Sequence, residues 1–219
     1  MLKAVIFDMD GVIIDSEPMH NKAYNDMFNQ IGIQVSSELY QSFTGQSTIN
    51  ICKRLCSHFN LEHTPETLVA IKRKYYKQFF ESNSSLSLID GALDLIKDYH
   101  QNGLKLVLAS SAAMTSINQI FNRFDLHQYF IAKFSGGDLK QSKPHPEIFL
   151  KAIQATGFSN KECIVIEDST NGIKAAKAAQ VFCIGYDSFH SKNQNYNNAD
   201  MVITDFKDIT FKKIHNILN

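Results

Sequence analysis

Residues 2–11 of the chain read LKAVIFDMDG, and this stretch decides the class of fold. Its first six residues are mostly apolar and include β-branched side chains, which is typical of a strand buried on both faces. Helical spacing appears further along the chain, over 145–156 and 171–179. Similar apolar runs flank these segments at 104–109, 130–134, 163–166, 181–184 and 201–204. Strands that alternate with helices predict an α/β fold with a doubly wound parallel sheet.

A long interval separates the first strand from the run at 104. It spans about 95 residues without a strand pattern, whereas a crossover connection needs only about a dozen or more. Thr64 followed by Pro65 predicts a helix start within it. The apolar stripe that follows consists of Leu68, Ile71, Tyr75 and Phe79. We therefore predict an all-helical second domain over 16–84, inserted into a core of 1–15 and 85–219. Its junctions fall near Asp15 and Ser16 and in the polar stretch 82–85.

Composition excludes several classes of protein. The chain has 219 residues, of which 44% are apolar and 20% are charged, so wholesale disorder is excluded. Lys plus Arg and Asp plus Glu each number 22, which argues against a nucleic-acid binder driven by bulk phosphate attraction. No apolar run reaches the roughly 18 residues that a membrane span needs. The four cysteines are scattered and no signal peptide precedes the first strand, so we expect a cytoplasmic protein with free thiols.

Two carboxylates directly follow the first strand. Asp8 and Asp10 are two residues apart, so both can share one face of an extended chain. They lie at the carboxyl end of the strand, the edge at which open α/β sheets bind ligands. A calcium loop is the alternative for an Asp-x-Asp-Gly run, but Val12 occupies its fifth position, where an oxygen ligand is needed.

Three further segments place polar groups at strand ends or before a helix. They contain Ser110 and Ser111, Lys143, and Glu167 and Asp168. Taken alone, each is explained by a helix cap, a solvated lysine or a polar strand end. The four segments in this order favour phosphoryl transfer through an aspartyl-phosphate.

That chemistry needs each of these residue types. A carboxylate is a competent nucleophile and splits one difficult hydrolysis into two steps. Its repulsion from an anionic phosphate is offset by Mg²⁺ on hard carboxylate oxygens and by lysine and hydroxyl donors. A second carboxylic acid beside the nucleophile can protonate the leaving oxygen and later take a proton from water.

These segments resemble the four motifs of the haloacid dehalogenase-like superfamily. The matching residues are Asp8-Met9-Asp10-Gly11, Ser110, Lys143-Pro144 and Glu167-Asp168. The similarity extends over 11–17, 143–149 and 168–173, where it points to the subgroup of β-phosphoglucomutase and related sugar-phosphate phosphatases. The resemblance implies a Rossmann-like core, and the helical insertion matches the family's cap domain in position and type.

The resemblance also implies a role for each motif residue. Asp8 is the nucleophile and a Mg²⁺ ligand, and Asp10 is the general acid and base and lends a backbone carbonyl to the metal. The phosphoryl group is bound by Ser110 and Lys143, with Ser111 beside them. Asp168 ligates Mg²⁺, and Glu167 does so directly or through water. An acid at position 10 favours phosphate monoesters, since the family's dehalogenases lack one there.

Three cap positions bear on the choice between phosphatase and mutase. His20 and Lys74 resemble cap residues that face the substrate in the sugar phosphomutases. Thr48 stands where those mutases carry an Arg that holds the second phosphate, and a hydroxyl cannot replace that bidentate clamp. We therefore predict a phosphatase, with a β-phosphoglucomutase-type mutase as the alternative.

Other classes of function fit less well. A phospho-acceptor signalling module uses similar residues, but it is much shorter and carries its acceptor after a central strand. A binding protein without catalytic activity would not need a general acid at position 10. Structural zinc at Cys52, Cys56 and His58 lacks a fourth ligand. We expect a small phosphorylated metabolite as partner, with a sugar or polyol phosphate favoured. We expect that the protein binds neither nucleic acid nor a membrane. The sequence does not determine the oligomeric state, and a monomer is compatible with it.

Overall fold

The computed structural model describes residues 1–44, 46–83, 86–188, 191 and 193–218. Within them, six parallel strands form one sheet in the order β3-β2-β1-β4-β5-β6. The strands are β1 Ala4–Phe7, β2 Lys105–Ser110, β3 Phe130–Ser135, β4 Cys163–Glu167, β5 Phe182–Tyr186 and β6 Met201–Ile203. The predicted doubly wound parallel sheet is confirmed, and each predicted apolar run overlaps one of these strands.

Helices cover both faces of the sheet. The core helices are α5 Ala92–Gln101, α6 Met114–Arg123, α7 Glu147–Thr156, α8 Thr170–Ala178 and α9 Phe211–Leu218. Ala4 and Ile6 of β1 join the apolar cluster under α7 and α8, whereas Val5 and Phe7 join the cluster under α5, α6 and α9. Alternate residues of β1 point to opposite faces of the sheet, and both faces are buried under helices. For this reason the strand is apolar throughout.

Four helices fill the interval between β1 and α5. They are α1 Glu17–Ile31, α2 Ser37–Gln41, α3 Thr48–Phe59 and α4 Pro65–Ser82. Three of them contribute to an apolar cluster of their own, which includes Met27, Leu55 and Leu68. All four helices lie within the predicted 16–84 insertion, called the cap from here on. Ser84 and Ser85 of the predicted second junction lie outside the described residues, so the exact division between the domains stays a prediction.

The start of α4 follows the sequence prediction, but its buried face does not. Thr64 caps the helix, and its hydroxyl accepts a hydrogen bond from the Thr67 amide. Leu68 is buried as expected, whereas the rest of the predicted stripe is only half-buried. Tyr76 and Phe80 are buried instead, because the second half of α4 packs against the core cluster rather than the cap cluster.

Two chain segments connect the cap to the core. Ile14 and Leu88 form an isolated antiparallel bridge, and the Ile89 amide donates to the Ile13 carbonyl. The entry and the exit of the cap therefore run side by side. None of the helices described is long and apolar enough to cross a membrane.

Candidate active site

The sheet order brings the predicted motif residues together. β1 lies between β2 and β4, so Asp8, Ser110 and Glu167 end three neighbouring strands at the same edge. All three side chains are buried, as are Lys143 and Asp168 beside them. Residues up to 160 positions apart along the chain thus meet at one point, because parallel strands share their carboxyl edge.

Lys143 is the buried cation at the centre of this cluster. Its ammonium Nζ lies 2.6 Å from Asp8 Oδ1 and 2.6 Å from Glu167 Oε1. A third hydrogen bond goes to the Ala109 carbonyl at 3.0 Å, and the ring of Phe149 lies beneath the ammonium at 4.9 Å. With all three donors engaged, the ammonium is held in one place.

Three carboxylates form the candidate metal site. Asp8, Glu167 and Asp168 each offer an oxygen, and these oxygens lie within 4.8 Å of one another. Burial raises the pKa of Asp8 and of Asp168, and the charge of Glu167 adds to both increases. A divalent cation would relieve this repulsion, and clustered carboxylate oxygens are the ligands that Mg²⁺ prefers. The residues present therefore fit the predicted ion.

Close packing orients these carboxylates. The amide and hydroxyl of Ser169 both donate to Glu167, at 2.8 and 3.0 Å. A Cβ at Gly172 would lie 1.7 Å from Glu167 Oε1, so only glycine leaves room for the carboxylate. Asp168 accepts a hydrogen bond from the Ser191 hydroxyl.

Asp10 lies between the core cluster and the cap. It accepts a hydrogen bond from the Ser16 hydroxyl, and its Oδ1 is 3.6 Å from His20 Nε2. Burial favours the protonated acid, but His20, Ser16 and the charge of Lys72 together hold the pKa of Asp10 below its usual value. Without substrate, Asp10 is therefore an ionised carboxylate at neutral pH.

A buried lysine of the cap extends this contact. Lys72 Nζ lies 2.7 Å from His20 Nδ1 and packs over the rings of Tyr24 and Tyr76, at 5.0 and 4.6 Å. Burial lowers the pKa of Lys72 to about 8. Burial and the charge of Lys72 also lower the pKa of His20. Lys72, His20 and Asp10 thus form a polar chain from α4 to the carboxyl edge of the sheet.

The structure corrects the prediction for the cap lysine. Lys74 is exposed and does not line the cleft, whereas Lys72 is buried against His20. Successive helix residues turn by about 100°, so positions two apart point in nearly opposite directions. A run of three basic residues does not show which of them faces inward.

The remaining predicted residues are placed as follows. Ser111 and Thr48 line the cleft between cap and core. Ser110 is fully buried, and its hydroxyl accepts a hydrogen bond from the Ala112 amide at 3.0 Å. Thr48 is half-buried and is the first residue of α3. Gly45, the cap glycine that precedes Thr48, lies outside the described residues.

The cleft has a volume of about 620 Å³, and among its described cap residues one is acidic and received no role from the sequence. Glu17 lies at the start of α1, one turn before His20, and accepts a hydrogen bond from the Tyr40 phenol at 3.1 Å. Although its side chain is exposed to the cleft, the surrounding walls raise its pKa to about 7. Its position one helical turn from His20 is the sequence signal that could have identified it.

Among the described residues, three side-chain hydrogen bonds join the cap to the core away from the two chain connections. Asn50 donates to Ser142 at 2.7 Å. Asn171 donates to the Thr44 carbonyl at 3.3 Å, and Asn193 to Gln41 at 2.8 Å. The far side of the cleft is therefore joined to the core independently of the chain connections.

Comparison with known proteins identifies the family. Residues 5–186 match the family model described as haloacid dehalogenase-like hydrolase, so the chain belongs to that family. Hexitol phosphatase B of Escherichia coli (strain K12) is 27% identical over 212 residues, which cover 96% of this chain and 96% of that protein. The phosphorylated carbohydrates phosphatase of Thermotoga maritima is 29% identical over 196 residues, 88% of each chain.

A solved structure extends the similarity to the whole fold. β-Phosphoglucomutase from Clostridium difficile is 28% identical, with a TM-score of 0.86 over 100% of this chain and 98% of that one. The resemblance stated from the motifs is confirmed, and the protein is an enzyme of the haloacid dehalogenase-like hydrolases. Its relatives include both phosphatases and phosphomutases.

Proposed function

We propose that the protein is a Mg²⁺-dependent phosphatase that hydrolyses small phosphate monoesters, such as sugar or polyol phosphates, through an aspartyl-phosphate on Asp8. The observation that carries the proposal is the buried contact of Lys143 with both Asp8 and Glu167. It joins a nucleophile, a cation and a metal-binding carboxylate in one buried cluster. The phosphatases among the relatives agree with this reaction.

In the first step, an Asp8 oxygen attacks phosphorus and the bond from phosphorus to the ester oxygen breaks. The ammonium of Lys143 and the hydroxyls of Ser110 and Ser111 stabilise charge on the phosphoryl oxygens. Asp10 donates a proton to the leaving oxygen. The bound phosphate favours protonation of Asp10 beforehand, because a nearby anion raises the pKa of a carboxyl group.

In the second step, water attacks the phosphorus of the aspartyl-phosphate. Asp10, ionised after the first step, takes a proton from that water, and inorganic phosphate and free Asp8 are released. The contact with His20 keeps Asp10 oriented while the cap is closed. The same carboxyl group therefore serves as acid and then as base.

Mg²⁺ would be held by Asp8 and Asp168, by Glu167 directly or through water, and by the Asp10 carbonyl. When bound, it supplies positive charge that offsets the repulsion between the nucleophile and the phosphate. The protein's own part is to keep the carboxylates in place, through Ser169 and through the space left at Gly172.

The cap favours a phosphatase over a mutase. A mutase must bind a bisphosphate intermediate in both orientations, and this requires cationic groups for the second phosphate. Of the described cap residues that line the cleft, none is Lys or Arg. Thr48 offers a hydroxyl where the mutases of the family carry an Arg, and a hydroxyl cannot form the bidentate contact that an Arg makes with a phosphate.

The nucleophile is tested by Asp8→Asn, with Asp94→Asn on the exposed face of α5 as the control. We expect Asp8→Asn to abolish Mg²⁺-dependent phosphate release from an aryl phosphate and to keep the native circular dichroism. Asp94→Asn should retain wild-type rates. Retained activity in Asp8→Asn would refute the assignment.

The reaction class is tested by giving the enzyme β-glucose 1-phosphate with a bisphosphate primer. We expect net release of phosphate and little glucose 6-phosphate. Rapid isomerisation without release of phosphate would establish the mutase instead.

A further inference from the structure

The cap wall of the cleft is built from neutral polar groups and aromatic rings around one carboxyl group. Among the described residues, its hydroxyl and amide groups include those of Asn21, Tyr40, Gln46 and Thr48. Hydroxyls and amides both donate and accept hydrogen bonds, as the hydroxyls of a polyol do. This wall therefore matches a neutral, polyhydroxylated leaving group.

The carboxyl group on this wall is Glu17. It is exposed to the cleft and lies one helical turn from His20, which contacts Asp10. Glu17 is therefore on the side of the leaving group, beyond the phosphoryl site proposed at Asp8 and Lys143. At a pH above its pKa of about 7, Glu17 presents a negative charge to that group.

The charge of Lys72 acts on Glu17 from behind the wall of the cleft, but the nearest basic side chains do not reach the cleft itself. Lys72 is buried, and its ammonium contacts His20 rather than the cleft. Arg54 donates to the Ser42 hydroxyl at 2.7 Å and does not line the cleft. A second anionic group on the substrate would thus face the Glu17 carboxylate, without a cation among the described residues of the cap wall.

We propose that the cleft hydrolyses phosphate monoesters of neutral polyhydroxy compounds, that it rejects those with a second anionic group, and that Glu17 determines this specificity. The proposal rests on the phosphatase function above. The hydrogen bond from the Tyr40 phenol holds the Glu17 carboxyl group in place. The other oxygen of that carboxyl group can accept a hydrogen bond from a hydroxyl of the leaving group. The same carboxyl repels a carboxylate or a second phosphate at that position.

A matched pair of substrates tests the proposal. Sorbitol 6-phosphate and 6-phosphogluconate have the same carbon chain and differ only at C1, which is an alcohol in one and a carboxylate in the other. We expect wild-type kcat/KM at about pH 8 to favour sorbitol 6-phosphate by about tenfold or more, as for like charges several ångströms apart in a partly wet site. The preference should shrink in high salt, because screening weakens repulsion.

Glu17→Gln removes the charge and keeps the shape of the side chain. We expect it to reduce the ratio of the two kcat/KM values about tenfold, mainly by improving 6-phosphogluconate. The control is Glu38→Gln, an exposed acid of α2 that does not line the cleft, which should leave the ratio unchanged. Fructose 1,6-bisphosphate compared with fructose 6-phosphate should show the same change.

The outcomes separate the two proposals. Equal hydrolysis of both members of the pair by the wild type, or an unchanged ratio in Glu17→Gln, would overturn the specificity proposal while the phosphatase stands. Failure of the wild-type enzyme to release phosphate from any ester in the presence of Mg²⁺ would overturn the proposed function, and the specificity with it.

Discussion

Replacement of Lys143 by Met gives the sharpest test of the buried cluster. The ammonium lies 2.6 Å from carboxylate oxygens of both Asp8 and Glu167, and the three side chains are 2%, 9% and 1% exposed. The variant keeps the length and apolar bulk of the lysine but leaves two buried carboxylates without their cation. Removal of one partner of a buried ion pair lowers the free energy of unfolding by about 3–5 kcal/mol, and we expect a loss in that range.

The assay is urea unfolding followed by circular dichroism, in the presence of a chelator. Lys177→Met is the matched control, because Lys177 lies the same 2.6 Å from Asp200 but the two side chains are 37% and 28% exposed. Surface ion pairs contribute about 0.2–1 kcal/mol, so the control should be nearly neutral. The difference between the variants isolates the effect of burial.

Two further measurements follow from the same geometry. Mg²⁺ should restore part of the lost stability of Lys143→Met, because a divalent ion supplies positive charge to the same carboxylates. The loss should also be smaller at lower pH, since carboxyl groups without a cation take up protons. Phosphate release should fall by about 100-fold or more. A variant as stable as Lys177→Met and still active would refute the proposed role of Lys143.

Two other predictions concern residues that support the site. Alanine is a better helix former than glycine, but in Gly172→Ala the added Cβ would overlap the carboxylate of Glu167 and displace it. We expect the apparent Mg²⁺ affinity to fall by about 10–100-fold. An unchanged Mg²⁺ titration would contradict this. Lys72→Met removes a cation that lowers the pKa of His20, so that pKa should rise, as measured by NMR of the imidazole. An unchanged or lower His20 pKa would show that Lys72 is not charged beside it.

The core motifs were predictable from the sequence because their spacing reflects strand geometry. Asp8 ends a strand whose apolar run is unbroken, and Asp10 follows at the spacing that keeps two side chains on one face. Lys143 and Asp168 were assigned by resemblance. The structure places Lys143, in the segment before α7, and Asp168, directly after β4, beside Asp8.

The cap was less predictable because its helices pack against two different surfaces. The sequence indicated a helix beginning at Thr64, and the structure confirms it. It did not show that the second half of α4 turns Tyr76 toward the core, nor that Lys72 rather than Lys74 is buried. Helical spacing defines faces, but the partner of each face depends on how the helices are arranged.

The sequence by itself determined the order of the strands along the chain, the insertion after the first strand and the residue types at each strand end. Only the tertiary structure decided which cap groups face the phosphate site. Glu17 lies there because α1 begins next to Asp10, and His20, one helical turn after Glu17, contacts Asp10. The physical reason is that local patterns control backbone conformation, whereas a cleft between two domains depends on contacts between residues far apart in the chain.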